Sequence, residues 1–177
     1  MNILITILLL LAGVVVLFLL IALFIKKEFS LEKEIIINKP KEEVFNYLKF
    51  LRNQEKYSVW VMKDPGIKVV YAGTDGTIGA TSAWESKDKN VGVGEQEIIK
   101  LTDGESIEVE IRFKKPFEGI NYALTTVTTV GSGQTRVFNR FTGRSKFPMN
   151  VINLFMDKLV GEPMQKNLRN LKYNLEN

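Results

Sequence analysis

The chain has 177 residues, a formal net charge of +4, and neither histidine nor cysteine. That composition excludes imidazole proton shuttles, thiol nucleophiles, disulfides, thiolate zinc sites and lipid attachment through cysteine. Its basic residues are interleaved with Asp and Glu rather than gathered in a stripe, so nucleic acid is not an expected partner, and no residue pattern asks for a cofactor or a metal.

From Ile3 to Ile25 there is no charge, and nearly every residue is Leu, Ile, Val, Phe or Ala. About 20 apolar residues at ~1.5 Å rise each span a hydrocarbon core of roughly 30 Å. Residues 1–27 therefore read as a single-pass transmembrane anchor. A cleaved secretory signal would need a basic start, a shorter apolar stretch and a small-residue cleavage site; only Met1 and Asn2 precede the run, and Ile21-Ala22-Leu23 is a poor cleavage site. Lys26 and Lys27 follow the span directly, with Lys33 nearby, and no Lys or Arg precedes it. By the positive-inside rule residues 28–177 lie on the cytoplasmic side of the cell membrane, where the basic residues can meet anionic headgroups. Lys26 to Ser30 is the expected linker, with a reach of about 17 Å.

A strand is expected from Leu31 to Ile37, then a helix opened by Pro40, Glu42 and Glu43, where proline lacks only an N–H the first turn does not use and the carboxylates face the positive end of the dipole. Val44, Leu48 and Leu51 share one face of it. Asn53–Tyr57 reads as a short second helix before the turn at Asp64-Pro65-Gly66. Period-two patterning then predicts strands near 67–73, 79–86, 91–102, 105–114, 118–130 and 134–142, with Ile107, Val109, Ile111 and Phe113 alternating against Glu108, Glu110 and Arg112. After Pro148 the period becomes helical: Val151, Phe155, Leu159, Met164, Leu168, Leu171 and Leu175 form one stripe. Gly161 and Pro163 predict a kink or a restart within it.

Strand, helix pair, long antiparallel meander and long C-terminal helix describe an α+β fold in which a curved sheet wraps one helix. Over residues 31–176 the chain resembles the START/Bet v 1-like (SRPBCC) superfamily, the helix-grip fold, and within it the polyketide cyclase/dehydrase-type branch. The resemblance is carried by Ile37-Asn38-Lys39-Pro40-Lys41-Glu42-Glu43-Val44-Phe45, Trp60 with Asp64-Pro65, Gly79 with Trp84, Val91-Gly92-Val93-Gly94-Glu95, Pro116, Thr135-Arg136-Val137, and Phe155-Met156-Asp157-Lys158 leading to Gly161. Asn139 stands where the family commonly has Trp. The resemblance implies an internal apolar cavity between sheet and long helix that holds a lipid or another hydrophobic small molecule; some members are cyclases, aromatases or dehydrases.

With His and Cys absent, any acid or base must be Glu, Asp, Lys or Tyr with a shifted pKa. Glu95 and Glu97 share strand parity with Val93 and Ile99, and face the cavity if those residues do. The opposite parity, favoured because buried carboxylates are rare, leaves Gln96 and Ile98 inside and the pair in water. Tyr122 alternates with Ile120 and Leu124, and Asn139 with Val137 and Phe141, so each can offer one polar group to an apolar cavity or bond the neighbouring backbone. Trp60 and Trp84 offer flat apolar surface for a ligand, although an aromatic in a domain this small is more often plain core. Phe155, Met156 and Leu159 are the expected wall on the closing helix.

Three readings follow: a membrane-anchored binding protein for a hydrophobic ligand, an enzyme that folds a reactive chain and moves protons with Glu95, Glu97 or Tyr122, and a protein-interaction module with a closed cavity. The first needs no catalytic residue and ranks first.

Overall fold

Elements appear in the expected order in the computed structural model, which describes residues 2–177. Helix α1 (Ile3–Phe24) is apolar on every side and long enough to cross a membrane. Asn2 caps its start, accepting the Leu4 N–H at 3.4 Å. Ala22 is its one buried residue. Strand β1 (Glu28–Ile37) starts inside the stretch expected as linker, because Glu28, Phe29 and Ser30 pair with Arg144, Gly143 and Thr142 of β7 (Gln134–Arg144). Only Ile25–Lys27 remain between α1 and the sheet.

Pro40 opens α2 (Lys41–Leu48), which buries Val44, Phe45 and Leu48. A 3-10 helix (Leu51–Lys56) replaces the expected second helix, and a short α3 (Val59–Lys63) carries Trp60. The meander supplies β2 (Lys68–Ala72), β3 (Thr81–Glu85), β4 (Val93–Thr102), β5 (Ser106–Lys115) and β6 (Gly119–Gly131) before β7. All pairs are antiparallel, in the order β1-β7-β6-β5-β4-β3-β2.

The C-terminal stripe divides. Helix α4 (Glu162–Glu176) restarts after Gly161 with Pro163 in its first turn, as the sequence predicts, and buries Met164, Leu168, Leu171 and Leu175. They meet Ile37, Ile98, Val109 and Val137 of the sheet in one core. Leu168 and Leu171 are each 1% exposed, a burial worth about 2 kcal/mol apiece. Upstream, the expected continuous helix is instead a 3-10 helix (Met149–Phe155) followed by a π-helical turn (Asp157–Gly161). Their changed periods rotate Phe155 and Leu159 outward, to 57% and 51% exposure.

Register fixes which side chains face α4. Ile37, Val137, Val127, Val109 and Ile98 are buried on that concave face, and their alternating neighbours on the convex face carry the ion pairs Arg136–Glu34, Arg140–Glu32 and Arg144–Glu28. One end of the sheet gathers the start of β1, the end of β7 and the connections 86–92 and 116–118. Because only Ile25–Lys27 separate α1 from β1, this is the end next to α1, and it is called the anchor end after the sequence reading of that helix.

Candidate functional site

Core burial stops halfway along the strands. Toward the anchor end the concave-face residues Trp84, Gln96, Ile111, Phe113, Asn121, Ala123, Thr125 and Asn139 are only half-buried. Helix α4 packs chiefly on β1, so this half of the sheet has no helical cover. These half-buried side chains, apolar and polar in alternation, make up the strip of concave face called the groove below. Two depressions lie elsewhere and are open to solvent: one of about 490 Å³ on the convex face around Ser30, Ile120, Tyr122 and Thr142, and one of about 440 Å³ between Lys87, Gly92 and Pro116. Neither depression is the enclosed cavity between sheet and long helix that the resemblance implies, and Phe155 and Leu159, expected as its wall, are exposed.

Trp84 lies across Gly94 at the groove's end. Its ring meets Phe113 edge-on at 5.8 Å, and its Nε1–H donates to the Val91 carbonyl at 3.2 Å. A Cβ on Gly94 would fall 2.5 Å from that ring and 2.8 Å from the Arg112 carbonyl. Gly94→Ala should thus displace Trp84 and destabilise the domain by about 1–3 kcal/mol, checked by thermal unfolding together with the tryptophan emission maximum. Gly143 plays a similar part, admitting Phe29 and Asn121 over its Cα.

The groove's polar groups are amides and hydroxyls. Gln96 Nε2 donates to Gln54 Oε1 at 2.7 Å and to Ser82 Oγ at 2.9 Å. Asn139 Oδ1 is buried and makes no hydrogen bond. Opposite Asn139, Lys33 on β1 reaches Asp157 of the π turn at 2.8 Å, tying the sheet to the segment before α4. Behind the groove, burial pushes the Tyr57 hydroxyl far up, with Tyr47 adding to it. Burial and then the hydrogen bond to Glu55, at 2.6 Å, do the same to Tyr71. Both phenols are thereby held in the neutral form, and Tyr71 donates its hydrogen to Glu55.

Strand β4 takes the parity favoured from the sequence, and the alternative that turns Glu95 and Glu97 into the cavity is corrected. Register shifts fall at Val93/Gly94 and at Ile98/Lys100, so the two apolar residues used to set the parity, Val93 and Ile99, sit at the irregularities. Gln96 and Ile98 face inward, and Glu95 and Glu97 face the convex side. Tyr122, paired with Thr142 and Glu110, is also on the convex face and lines the depression there. Of the other sequence candidates, Trp84 and Asn139 lie in the groove, Trp60 is half-buried on α3, and Met156 is half-buried between exposed Phe155 and Leu159. Gln54, Ser82 and Lys33 were not anticipated, whereas an inward Gln96 follows from the parity favoured for β4.

On the convex face Arg112 is held by Glu95 and Glu97 at 2.8 Å and by Glu110 at 2.6 Å. Hydrogen bonding to Arg112 keeps Glu95 below the ordinary value of 4.5, while hydrogen bonding to Glu110 raises the Tyr122 hydroxyl. Replacing Arg112 with Met leaves three carboxylates side by side and should cost about 2 kcal/mol at neutral pH, between an exposed and a buried pair. A depressed carboxylate stabilises above its unfolded value, and that gain is lost as pH falls through the folded one. The difference between wild type and Arg112→Met should therefore shrink below pH 4.5, as read by unfolding the full chain in mild detergent at pH 7 and in acid.

A curved antiparallel sheet gripping its C-terminal helix defines the class, an α+β domain of the helix-grip fold. A sequence profile of the family described as polyketide cyclase/dehydrase and lipid transport proteins matches residues 28–176, and the chain belongs to that family. No curated protein matches by sequence. Among solved structures, norcoclaurine synthase from Thalictrum flavum, in complex with dopamine and hydroxybenzaldehyde, superposes with a TM-score of 0.67 at 9% identity over 84% of this chain and 87% of its own. Ara h 8.0201 gives 0.57 at 13% identity, over 84% and 98%. The di-domain ARO/CYC StfQ from the steffimycin biosynthetic pathway gives 0.63 at 13% identity, over 84% of this chain and 51% of StfQ. These likenesses show the Bet v 1-like fold, and the family supports a role in ligand binding or cyclisation.

Proposed function

We propose that this protein is a membrane-anchored binder of a hydrophobic small molecule or lipid, which it holds in the groove between Trp84, Ile111, Phe113 and Ala123. The observation that carries the reading is the chemistry of that groove. Apolar walls are interrupted by amides and hydroxyls that orient a ligand, and the carboxylates that a proton-transfer mechanism would use, Glu95 and Glu97, project from the opposite face. The cyclase reading is weakened by the same fact, since Gln96, Ser82, Asn121 and Asn139 do not exchange protons near neutral pH.

Retention of α1 as an anchor is supported by its junction with the domain. Ala22 is buried, and its carbonyl and that of Ile25 accept hydrogen bonds from Asn150 Nδ2 at 2.7 and 2.8 Å. A leader destined for removal has no use for such contacts. Lys26 and Lys27 after the span argue for a cytoplasmic domain, whose groove opens toward the membrane from which an apolar ligand would come. Photo-crosslinking tests the assignment: the full chain in vesicles, irradiated with a diazirine-bearing fatty acid, should give labelled peptides from β5 and β6 as well as from α1. Label confined to α1 would overturn it.

A further inference from the structure

We infer that the anchor end of the sheet is itself a membrane-docking face, seated on an anionic bilayer surface around the base of α1. This rests on the reading of α1 as membrane-spanning and adds a second, non-spanning contact to it.

Three observations converge on that end. First, the domain cannot swing freely. The peptide carbonyls from Ala22 to Lys27 are gripped by the 3-10 helix: Asn150 takes Ala22 and Ile25, Asn153 Nδ2 donates to Lys26 and Lys27 at 2.9 and 3.0 Å, and the Ser145 N–H donates to Lys27 at 2.8 Å. A three-residue connection reaches about 10 Å at most, so whatever faces α1's emerging end faces the bilayer. Second, that end displays apolar side chains that no part of the fold covers. Phe117, at the tip of the β5–β6 connection, is 66% exposed, and Phe147 and Met149, after β7, are 43% and 49% exposed. Third, exposed lysines surround them: Lys26, Lys27, Lys87, Lys89, Lys115 and Lys146. Asp88 and Glu28 at this end are tied to Lys63 and Arg144, at 3.2 and 3.4 Å, and Glu118 opposes the lysines. At the opposite end the turns 73–80, 103–105 and 131–133 carry Asp75, Asp103 and Glu105, and the connection 38–40 after β1 carries Lys39, so the lysines there are fewer.

Apolar rings ringed by lysines on one face are the composition of an interfacial membrane contact. Lysines are drawn to an anionic surface, with an attraction that falls off within a Debye length. A soluble protein partner would not need to lie where the anchor already holds lipid. Docked this way, the open half of the groove ends at the headgroup layer, and a ligand can pass between bilayer and groove without crossing water.

The absence of cysteine makes the test direct. Phe117→Cys, Phe147→Cys and, at the far end, Ser132→Cys, each labelled with NBD in the full chain, are reconstituted in phosphatidylcholine vesicles with and without phosphatidylglycerol. Probes at 117 and 147 should emit to the blue and be quenched several-fold by brominated acyl chains, more strongly with phosphatidylglycerol present; the probe at 132 should report water throughout. Water-like emission at 117 and 147 in a chain that resists alkaline extraction would overturn the docking face and leave the anchor standing. Release of the chain by alkali would overturn both. Quenching indifferent to phosphatidylglycerol would overturn the lysines' part in it.

Discussion

Replacing Ala123 with tryptophan should remove fatty-acid crosslinks from β5 and β6, by tenfold or more, while those on α1 persist. Ala123 stands between Val109 and Phe141 at the middle of the groove, and its Cβ is the smallest side chain on that floor apart from Gly94 and Gly143. An indole there occupies the volume a ligand would use. Overpacking in a closed core costs about 1–3 kcal/mol, but an open groove lets the ring lie toward solvent, so the unfolding temperature should move little. Ala123→Leu, which fills part of the same space, should reduce crosslinking to an intermediate level. Label on β5 and β6 that survives in Ala123→Trp would mean that the groove is not the binding surface, and would turn attention to the convex-face depression around Tyr122 and Ile120. Alpha1 label is the internal control, because the spanning helix meets the probe in either case.

Much of this fold is legible in the sequence because its signals are local. Pro40 with Glu42 and Glu43 opens α2 where the dipole argument puts it, and every strand of the meander lies within a few residues of its predicted place, since turns such as Asp103-Gly104 and Gly131-Ser132-Gly133 punctuate a clear alternation. The groove was less legible. Face assignment in β4 depends on where bulges fall, and an extra residue at Ile99 reverses the meaning of the apolar pattern without changing its appearance. For β6, Ile120, Tyr122 and Leu124 look like an inward set, yet pairing with β7 turns them outward, because Ala123 and Thr125 meet Phe141 and Asn139. Hydrophobicity alone misleads there: the open half of the concave face has small and polar residues, and the convex face keeps large apolar ones near the membrane. The helical stripe Val151, Phe155 and Leu159 failed for another reason. Its period is right for an α-helix, but the chain from Met149 to Gly161 is committed to holding the anchor and Lys33, contacts whose partners lie more than a hundred residues away and leave no local trace.

Changing Asn150 to Asp should undock the domain from its anchor while leaving the domain folded. A helix ends with carbonyls that no intrahelical N–H reaches, and α1 has no glycine cap: Ile25 follows it in extended conformation. Asn150 Nδ2 supplies the missing donor to Ala22 and Ile25 from a fully buried position, whereas its own Oδ1 makes no hydrogen bond. The residue is thus used as a donor, and Asp is the substitution that removes the donor while keeping the shape. It also sets a negative charge against the negative end of the helix dipole. Two unmet carbonyls, one buried and one partly buried, at about 1–3 kcal/mol each make a loss of roughly 2–6 kcal/mol in docking, or at least a factor of about 30 in the docked-to-free ratio. Asn150→Ala should show the smaller end of that range, lacking the charge. None of the core residues around Leu168 and Ile98 touches this clamp, so the unfolding temperature of the domain should stay near wild type. Spin labels on Val14→Cys and Tyr173→Cys, one in the span and one exposed on α4, read the outcome as a distance distribution in vesicles. Wild type should give one narrow peak and Asn150→Asp a broad one. A narrow peak in both would show that the three-residue connection alone orients the domain, and that the asparagines are ornaments of a joint already fixed by its length.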